Sequence, residues 1–260
     1  MTTYNNDNRY SQTYAVIDVE TLNLNQLYES YKRLDPEPAE LRWPFKSVCA
    51  TALLVFTVDG DGLFEFVDLH AAAGDDEGAL VRDLFDRLRM LPDAKVVTWG
   101  GLNADMPVLR VAAMRHHLRL PPQLVNDARR FRERCHLDLV AEYKAGARNF
   151  VHLSELATAL RLPVKFADRA SHVPKLLAEG KLDRLMDIAL ADVVSTALIL
   201  QAHLEIHSEL TSAAAAQIIT LREVVRRRPQ TRYADYLSRV ERRLAAEAMA
   251  DAEAFIASAA

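Results

Sequence analysis

The sequence predicts an α/β domain in which a mixed sheet of about five strands is flanked by helices, followed by a helical C-terminal extension. Two kinds of observation predict it. Apolar runs of strand length alternate with segments of helical period up to about residue 204, and a hairpin signal joins two of the runs. From residue 205 onward the pattern is helical and the composition changes. We therefore expect one domain over residues 1–204 and a helical extension over residues 205–260 that packs on it.

The strands follow from the apolar runs in chain order. The first covers residues 14–20, and "SVCATALLVFTVDGDGLFEFVDL" supplies two more, joined by Asp59-Gly60-Asp61-Gly62. "AKVVTW" is a further short buried strand. Between the first two strands, residues 22–46 are polar and contain "LDPEPAELRWPF", which is too rich in proline for one long helix.

The helices follow from apolar residues that recur every three to four positions. In residues 76–91 the stripe consists of Leu80, Leu84, Leu88 and Leu91. Further helices are expected at 105–118, near 137–144, at 153–161 and at 181–203. In the extension the pattern breaks at Pro229, and the last helix has an apolar stripe formed by Leu237, Val240, Leu244, Ala248 and Phe255.

The composition of the 260 residues is that of a globular protein with a sizeable core, since 50% are apolar and 26% are charged. The net charge of −4 argues against a generally cationic surface, although it does not exclude a local basic patch. The two cysteines, Cys49 and Cys135, are expected to be reduced thiols. The polar N-terminus has no apolar signal core, and the longest apolar stretch, around "CATALLVFTV", is too short to span a bilayer. A cytoplasmic protein without membrane contact is expected.

Two carboxylates lie at the end of the first strand, in "YAVIDVETLNLN". Because side chains alternate along a strand, Asp18 and Glu20 point to the same face and Val19 lies between them. An Asp-x-Glu sequence alone is weak support for a site, and a solvated strand end with a helix cap explains it equally. However, strand ends in α/β sheets are where such folds place their functional sites.

Two further carboxylates occupy notable positions. Asp105 opens a predicted helix behind a glycine-containing loop, where the helix dipole alone would favour it. Asp192 lies on an apolar helix face, which is costly unless the carboxylate is paired, protonated or bound to metal. Four carboxylates, from one strand and two helices, could hold two divalent cations. Oxygen ligands suit Mg²⁺ or Mn²⁺, and two such ions can stabilise both oxygens of a phosphoryl displacement.

The order Asp-x-Glu, Asp, Asp resembles the DEDD (DnaQ-like) 3′–5′ exonuclease superfamily, and residues 14–200 are similar to its branch of predicted exonucleases related to the proofreading domain of family-B DNA polymerases. Similar segments are "TWGGLNADMPVLRVAAMRHH", "CHLDLVAEY" with His136 and Asp138, "LSELATALRLPVK" ending at Lys165, and "HVPKLLAEGKLDRLMDIALADVVSTALIL". The resemblance implies a ribonuclease H-like fold. It also implies that Asp18, Glu20, Asp105 and Asp192 are catalytic residues and ligands of two Mg²⁺ or Mn²⁺ ions.

The sequence departs from the family pattern at the group that orients the attacking water. The position of the tyrosine in one branch is occupied by Ile188, and that of the histidine in another branch by Asp187. The loss of a proton-handling group typically costs about 10²- to 10⁴-fold in rate. Asp187 or His172 could orient the water instead, although a surface role explains each more simply. In the second motif the usual Asn-Gly is Gly100-Gly101, and Asn103 could replace a lost polar contact.

Two other signals remain open. His203 and His207 have a spacing on a helix that can bind zinc, but ordinary helix histidines explain them more simply. A basic cluster near the end of the chain fits either a solvated helix end or contacts to the phosphates of a substrate strand. Its members are Arg222, Arg226, Arg227, Arg228 and Arg232.

The resulting prediction is a two-metal 3′–5′ exonuclease that acts on the 3′ end of single-stranded DNA and releases nucleoside monophosphates. Thr21, Asn103, Arg226, Arg227 and Arg228 are its predicted substrate-binding residues. Two alternatives stay open. One is a catalytically weakened module of the same fold that binds nucleic-acid ends or a partner protein, and the other is a 3′–5′ exoribonuclease.

Overall fold

The computed structural model describes residues 11–125, 135–144, 151–163, 170–229 and 233–242. Within them, five strands form one mixed sheet in the order β3-β2-β1-β4-β5. β1 pairs with β2 antiparallel and with β4 parallel, while β5 pairs with β4 parallel. The strands are β1 (Gln12–Asn23), β2 (Lys46–Val58), β3 (Phe64–Ala73), β4 (Lys95–Thr98) and β5 (His136–Asp138).

Helices cover both faces of this sheet, with α2 and α3 on one face and α8 on the other. The helices are α1 (Asn25–Leu34), α2 (Glu77–Arg89), α3 (Asp105–Arg115), α4 (Pro122–Val125), α5 (Leu139–Lys144), α6 (Leu153–Ala159), α7 (Val173–Ala178), α8 (Leu182–Ile206), α9 (Ala213–Arg227) and α10 (residues 233–242). This architecture confirms the predicted ribonuclease H-like α/β fold with a five-stranded mixed sheet.

The alternation of β1 decides which side of the sheet carries its acids. Ala15, Ile17 and Val19 belong to the core beneath α2 and α3, and Tyr14 and Val16 belong to the core beneath α8. The even-numbered side chains that follow, those of Asp18 and Glu20, therefore continue on the α8 side. A register irregularity between Glu20 and Thr21 ends this regular alternation.

The hairpin and the α2 stripe are confirmed. β2 and β3 are joined at the predicted turn, where the Asp59 side chain accepts the N–H groups of Asp61 and Leu63 at 2.9 Å each. Gly62 has a φ of +77°, a conformation that an L side chain rarely adopts. Leu80, Leu84 and Leu88 of α2 are buried as the stripe requires, while Leu91 lies beyond the end of α2 and packs partly buried against the same core.

The prediction of a helix near 137–144 is wrong for its first residues. Residues His136–Asp138 form the edge strand β5, and the helix begins only at Leu139. Three residues are too few to show an alternating pattern, so the pairing with β4 decides this strand. In residues 22–46 the chain forms α1 and a short 3₁₀ segment, Trp43–Phe45, in place of one long helix. Another 3₁₀ segment, Ala170–His172, leads into α7. The sequence pattern did not predict α7.

α8 is the central helix of the protein and contains a longer apolar window than the "CATALLVFTV" stretch. Over 18 residues its mean hydropathy reaches 1.6, which is enough by composition to cross a membrane, but 78% of that window is buried inside the protein. Buried residues such as Val193, Ala197 and Leu200 pack on the sheet. The hydropathy of α8 is thus that of a core helix covered on many sides.

Residues beyond 204 share the main core with the sheet. α8 itself runs across the predicted boundary, and α9 packs on α8 and β3. Leu221, Tyr233 and Leu237 are buried in the same cluster as Val16 and Leu54. The predicted apolar stripe of the last helix includes Leu244, Ala248 and Phe255, which lie outside the described residues. The division into 1–204 and 205–260 therefore stays a prediction.

Candidate metal centre

Three of the predicted metal ligands converge between β1 and α8. Asp18, Glu20 and Asp192 each place a carboxylate oxygen within 4.8 Å of the other two. Glu20 is buried, with 9% of its surface exposed, while Asp18 and Asp192 are partly exposed. Such proximity of three negative charges is unfavourable in the absence of a counter-charge. These three residues are called the acidic trio below.

Asp105 lies beside the acidic trio at the first position of α3, and 8% of its surface is exposed. Burial, followed by repulsion from Glu20, Asp138 and Asp192, raises the pKa of Asp105 to about 7. Lys46 at the start of β2 partly offsets this shift. The fourth predicted ligand thus interacts electrostatically with Glu20 and Asp192, although it is not part of the close group of three.

The loop before α3 is held in place by Asp138, for which the sequence indicated no role beyond the family-like segment "CHLDLVAEY". One carboxylate oxygen of Asp138 accepts the N–H groups of Gly100 at 2.8 Å and Val140 at 3.0 Å, and the other accepts that of Leu102 at 2.9 Å. Asp138 is buried, so these bonds compensate a charge that would otherwise be costly. Asp138 thereby connects β5 to the loop that positions Asp105.

The Gly100-Gly101 departure from the family motif has a local structural reason. Gly100 has a φ of +74°, in the left-handed region that favours glycine. A Cβ at Gly101 would overlap the side chain of Thr98. Both glycines let the loop turn tightly from β4 into α3.

The donor set fits divalent cations with a preference for oxygen. The acidic trio is crowded and Asp105 is desolvated by burial, and a bound cation would offset both penalties. Carboxylate oxygens are the ligands that Mg²⁺ and Mn²⁺ prefer. Asp138 is less suited to bind metal because its oxygens already accept three backbone N–H groups. The residues that would hold the ions are Asp18, Glu20, Asp105 and Asp192.

A cavity of about 380 Å³ opens onto two of these acids, Asp18 and Asp192. We call it the site cavity. One part of its wall is apolar and the other is polar or backbone. The apolar part is formed by Trp99, Val140, Val151 and Leu153, and the rest by Gly100, Asn103, Ala104 and His152.

The residues in place of the family's water-orienting group lie away from this cavity. Ile188 is 3% exposed and packs with Cys49, Ala50 and Val173 in an apolar cluster. Asp187 is five residues before Asp192, so its side chain lies about 140° away from that of Asp192 around the axis of α8. Neither residue, nor His172, lines the described wall of the site cavity.

Of the predicted substrate-binding residues, Asn103 lines the site cavity and Thr21 follows Glu20 in β1. The arginines lie at the end of α9, outside the described cavity wall. Arg226 pairs with Glu223 at 2.6 Å, Arg227 with Asp68 at 2.9 Å, and Arg228 approaches Asp183 at 3.9 Å. Arg222 pairs with Glu241 at 2.7 Å, and Arg232 and Lys165 are outside the described residues.

His203 of α8 and His207, which follows the last residue of α8, do not form a metal site with the described residues around them. The rings of His203 and His207 are 4.4 Å apart between centroids, and His203 Nδ1 lies 3.1 Å from the Tyr143 hydroxyl. Burial and the neighbouring His207 lower the pKa of His203. Among the described residues, ligand atoms of at least three side chains come close enough for a metal only in the acidic trio.

A mixed sheet whose central strand and core helix bring carboxylates together is an arrangement of the kind that two-metal nucleases use. The family described as predicted 3′–5′ exonucleases related to the exonuclease domain of PolB matches residues 40–240, and the chain belongs to this family. The match includes Asp105, Asp138 and Asp192, and it begins after Asp18 and Glu20. It confirms the superfamily that the sequence analysis named. No curated protein matches the chain at a significant level.

Solved structures match the chain at low sequence identity and with TM-scores below 0.5. Product-bound exonuclease I is 13% identical over 86% of this chain, with a TM-score of 0.44. The family B DNA polymerase of Pyrobaculum calidifontis is 16% identical over 83% of this chain, with a TM-score of 0.49. E. coli exonuclease I in complex with a dT13 oligonucleotide is 12% identical over 71%, with a TM-score of 0.45. This chain covers 45%, 29% and 39% of those proteins, which is less than half of each.

Proposed function

We propose that this protein is a two-metal 3′–5′ exonuclease that hydrolyses the terminal phosphodiester of single-stranded DNA and releases nucleoside monophosphates. The observation that carries the proposal is the acidic trio, whose three carboxylate oxygens lie within 4.8 Å of one another beside the site cavity. A surface that only binds phosphates would gain nothing from such a concentration of negative charge. Membership of the exonuclease family adds independent support.

The four carboxylates would hold the ions, which are two Mg²⁺ or Mn²⁺ in this proposal. When bound, such ions stabilise the attacking oxygen and the leaving 3′ oxygen of the phosphodiester. Asp18 and Glu20 approach from β1, Asp192 from α8 and Asp105 from α3. Rigid elements therefore fix all four side chains, and Asp138 fixes the loop that leads to Asp105.

The site cavity supports a single unpaired strand as the substrate. Its volume of about 380 Å³ lies near the lower end of the range for ligand pockets, about 300–1,000 Å³, which fits one terminal nucleotide. Trp99 provides an apolar wall beside which a base can lie, and Asn103 provides an amide that can bind its polar edge or the sugar. We propose that Asn103 and Thr21 contact the substrate near the acids.

A cytoplasmic location is part of the proposal. Cys49 and Cys135 are both free thiols, which is common in reducing compartments. The burial of α8 inside the protein provides a structural role for its apolar residues without a membrane.

The experiment is digestion of a 5′-labelled single-stranded DNA in Mg²⁺ or Mn²⁺, with a parallel RNA of the same sequence. We expect a ladder that shortens from the 3′ end with the wild type and disappears with Asp18→Ala. Shortening of RNA alone would establish the exoribonuclease alternative. No shortening of either strand with either metal would overturn the enzyme proposal, and tight binding without cleavage would then support the weakened end-binding module.

A further inference from the structure

The connection between β1 and β2 forms a surface that the proposed function has not used. It consists of residues 24–45, which contain α1 and the 3₁₀ segment Trp43–Phe45, and we call it the α1 segment. None of its residues, all of which the structure describes, is buried. The α1 segment therefore adds no buried side chain to the core of the sheet, and its side chains are accessible at the surface.

Aromatic rings give the α1 segment a defined shape. Tyr28 and Tyr31 of α1 both lie against Phe45, with ring centroids 5.3 Å and 5.2 Å away. The Tyr28 hydroxyl donates to the carbonyl of Ala39, and the Tyr31 hydroxyl accepts the N–H of Ala39, at 3.0 Å each. The N–H of Leu24 donates to the carbonyl of Phe45 at 2.7 Å and closes the segment at its base. The α1 segment is thus an ordered aromatic surface.

This surface borders the proposed metal centre. The α1 segment follows Asn23, which is three residues beyond Glu20 in β1 and so about 10 Å along the strand. It ends at Lys46, which pairs with Asn23 across β1 and β2. Lys46 in turn interacts electrostatically with Asp105. The chain therefore enters and leaves the α1 segment beside two of the proposed metal ligands.

The 3₁₀ turn that ends the α1 segment presents one aromatic ring between two cations. Trp43 is 42% exposed, and Arg42 before it is exposed as well. The N–H of Lys46 donates to the carbonyl of Trp43, and the carbonyl of Lys46 accepts the Arg115 guanidinium at 2.7 Å. Among the described residues, no carboxylate lies within ion-pair distance of Arg42 or Lys46. Exposed rings that stack on bases, with cations for the phosphates, are how proteins hold a single strand.

We propose that the α1 segment binds the part of the single strand that lies upstream of its terminal nucleotide, an inference that rests on the proposed exonuclease function. The terminal nucleotide occupies the site cavity, and the scissile phosphate lies at the acids. Upstream bases stack on Trp43, and Arg42 and Lys46 bind their phosphates. At about 3.4 Å per stacked nucleotide, the distance from Glu20 to the start of the α1 segment corresponds to about three nucleotides. A dinucleotide would therefore not reach Trp43.

Tryptophan fluorescence tests this path in a protein whose α1 segment is intact. The chain has two tryptophans, Trp43 and Trp99, so Trp99→Phe leaves Trp43 as the one tryptophan that fluoresces. In Ca²⁺, we expect a thymidine decamer to quench Trp43, while thymidine 5′-monophosphate and the thymidine dinucleotide leave it unchanged. The matched variant Trp43→Phe leaves Trp99 in the site cavity, and all three ligands at saturation should quench it.

Replacement of Trp43 tests its contribution to binding. Trp43→Ala should weaken binding of the decamer in Ca²⁺ about 5- to 150-fold, the range for one lost stacked base. In Mg²⁺ it should raise the KM for the decamer with little change in kcat, and digestion of the dinucleotide should stay at the wild-type rate. Trp43→Tyr keeps an aromatic face and should retain most of the affinity. Met90→Ala, at an exposed apolar residue that caps α2, is the control.

The cations are tested by the dependence of binding on salt. With Arg42→Ala, the slope of log K against log salt for the decamer should fall by about 0.7. Arg82→Ala, at an exposed arginine of α2, should keep the wild-type slope.

The outcomes separate this inference from the function on which it rests. A bound decamer that leaves Trp43 unquenched, or that binds Trp43→Ala as tightly as wild type, would overturn the role of the α1 segment. Wild-type digestion in that case would leave the exonuclease intact. A Trp43→Ala variant that loses activity equally on decamer and dinucleotide would also overturn the role, since the damage would then reach the metal centre. A wild-type protein that neither binds nor digests DNA or RNA would overturn both proposals.

Discussion

The carboxylate of Asp138 accepts the backbone N–H of Gly100 at 2.8 Å, which ties the edge strand β5 to the loop in front of α3. The same carboxylate holds Leu102 of that loop at 2.9 Å. Asp105 begins the helix three residues later and interacts electrostatically with Glu20 and Asp192 from there. The position of a proposed metal ligand therefore depends on Asp138, whose carboxylate oxygens already accept backbone N–H groups.

Asp138→Asn tests this dependence. An asparagine keeps one oxygen but turns an NH₂ group toward an N–H that needs an acceptor, so a buried donor is left unpaired. We expect the free energy of unfolding to fall by about 1–3 kcal/mol and Mn²⁺ affinity to fall with it. Urea unfolding measures the free energy of unfolding, and calorimetric titration measures the Mn²⁺ affinity. Asp86→Asn on the exposed side of α2 is the control, and equal behaviour of both variants would contradict the role of Asp138.

The buried Asp105 predicts how stability depends on pH when no metal is bound. Its pKa is about 7 in the folded protein and 3.8 when unperturbed, so folding favours the protonated form. The stability contributed by this protonation is complete below about pH 4 and is lost as the pH rises through 7. Asp105→Asn mimics the protonated form and should therefore be more stable than wild type at pH 8 in EDTA, but not at pH 4. Urea titrations at both pH values measure the free energy of unfolding. The prediction fails if the difference in this free energy between the two proteins is the same at pH 4 and at pH 8.

The burial of Ile188 predicts what happens when the tyrosine of the family is placed at this position. The side chain is 3% exposed between Cys49, Ala50 and Val173, so a tyrosine at this position would overfill the cluster. We expect Ile188→Tyr to lower the free energy of unfolding by about 1–3 kcal/mol without raising the rate of DNA digestion. Ile188→Leu, which conserves volume, is the control. A stable Ile188→Tyr protein with faster digestion would show that the tyrosine hydroxyl reaches the attacking water after all.

The arginines at the end of α9 are predicted to contact substrate phosphates, while the structure pairs Arg226 with Glu223 and Arg227 with Asp68. If these arginines contact phosphates, replacing all three with alanine should weaken the binding of single-stranded DNA. The triple variant is Arg226→Ala/Arg227→Ala/Arg228→Ala. The slope of log K against log salt should then fall by about 0.7 for each lost contact. Anisotropy titrations between low and high salt give this slope, with Arg82→Ala on α2 as the control. If the triple variant keeps the wild-type affinity and slope, the arginines do not contact phosphates. They then form only surface ion pairs, which contribute little to stability.

The sequence was sufficient to predict those features that depend on local pattern. The period of two in β1 placed Asp18 and Glu20 on one face, and the Asp59-Gly60-Asp61-Gly62 turn identified the hairpin. The apolar surroundings of Asp192 indicated an unusual carboxylate, and the structure brings it to Glu20 across the interface of β1 and α8.

Features that depend on distant pairing were not predictable in this way. β5 has three residues and exists because of its hydrogen bonds to β4, so its own pattern resembled the start of a helix. His152 lies in an ordinary helix-start sequence, and only the packing of α6 on α8 brings it to the site cavity. The role of Asp138 depends in the same way on a loop 36 to 38 residues away in sequence.

Calorimetric titration with Mn²⁺ tests the central claim most directly, because it asks whether the acids hold divalent cations without requiring turnover. The account predicts that the wild type binds two Mn²⁺ per chain, that Asp192→Asn loses this binding, and that Asp86→Asn retains it. Two ions bound equally well by Asp192→Asn, or no binding by the wild type, would contradict the claim that the carboxylates between β1 and α8 form a metal centre.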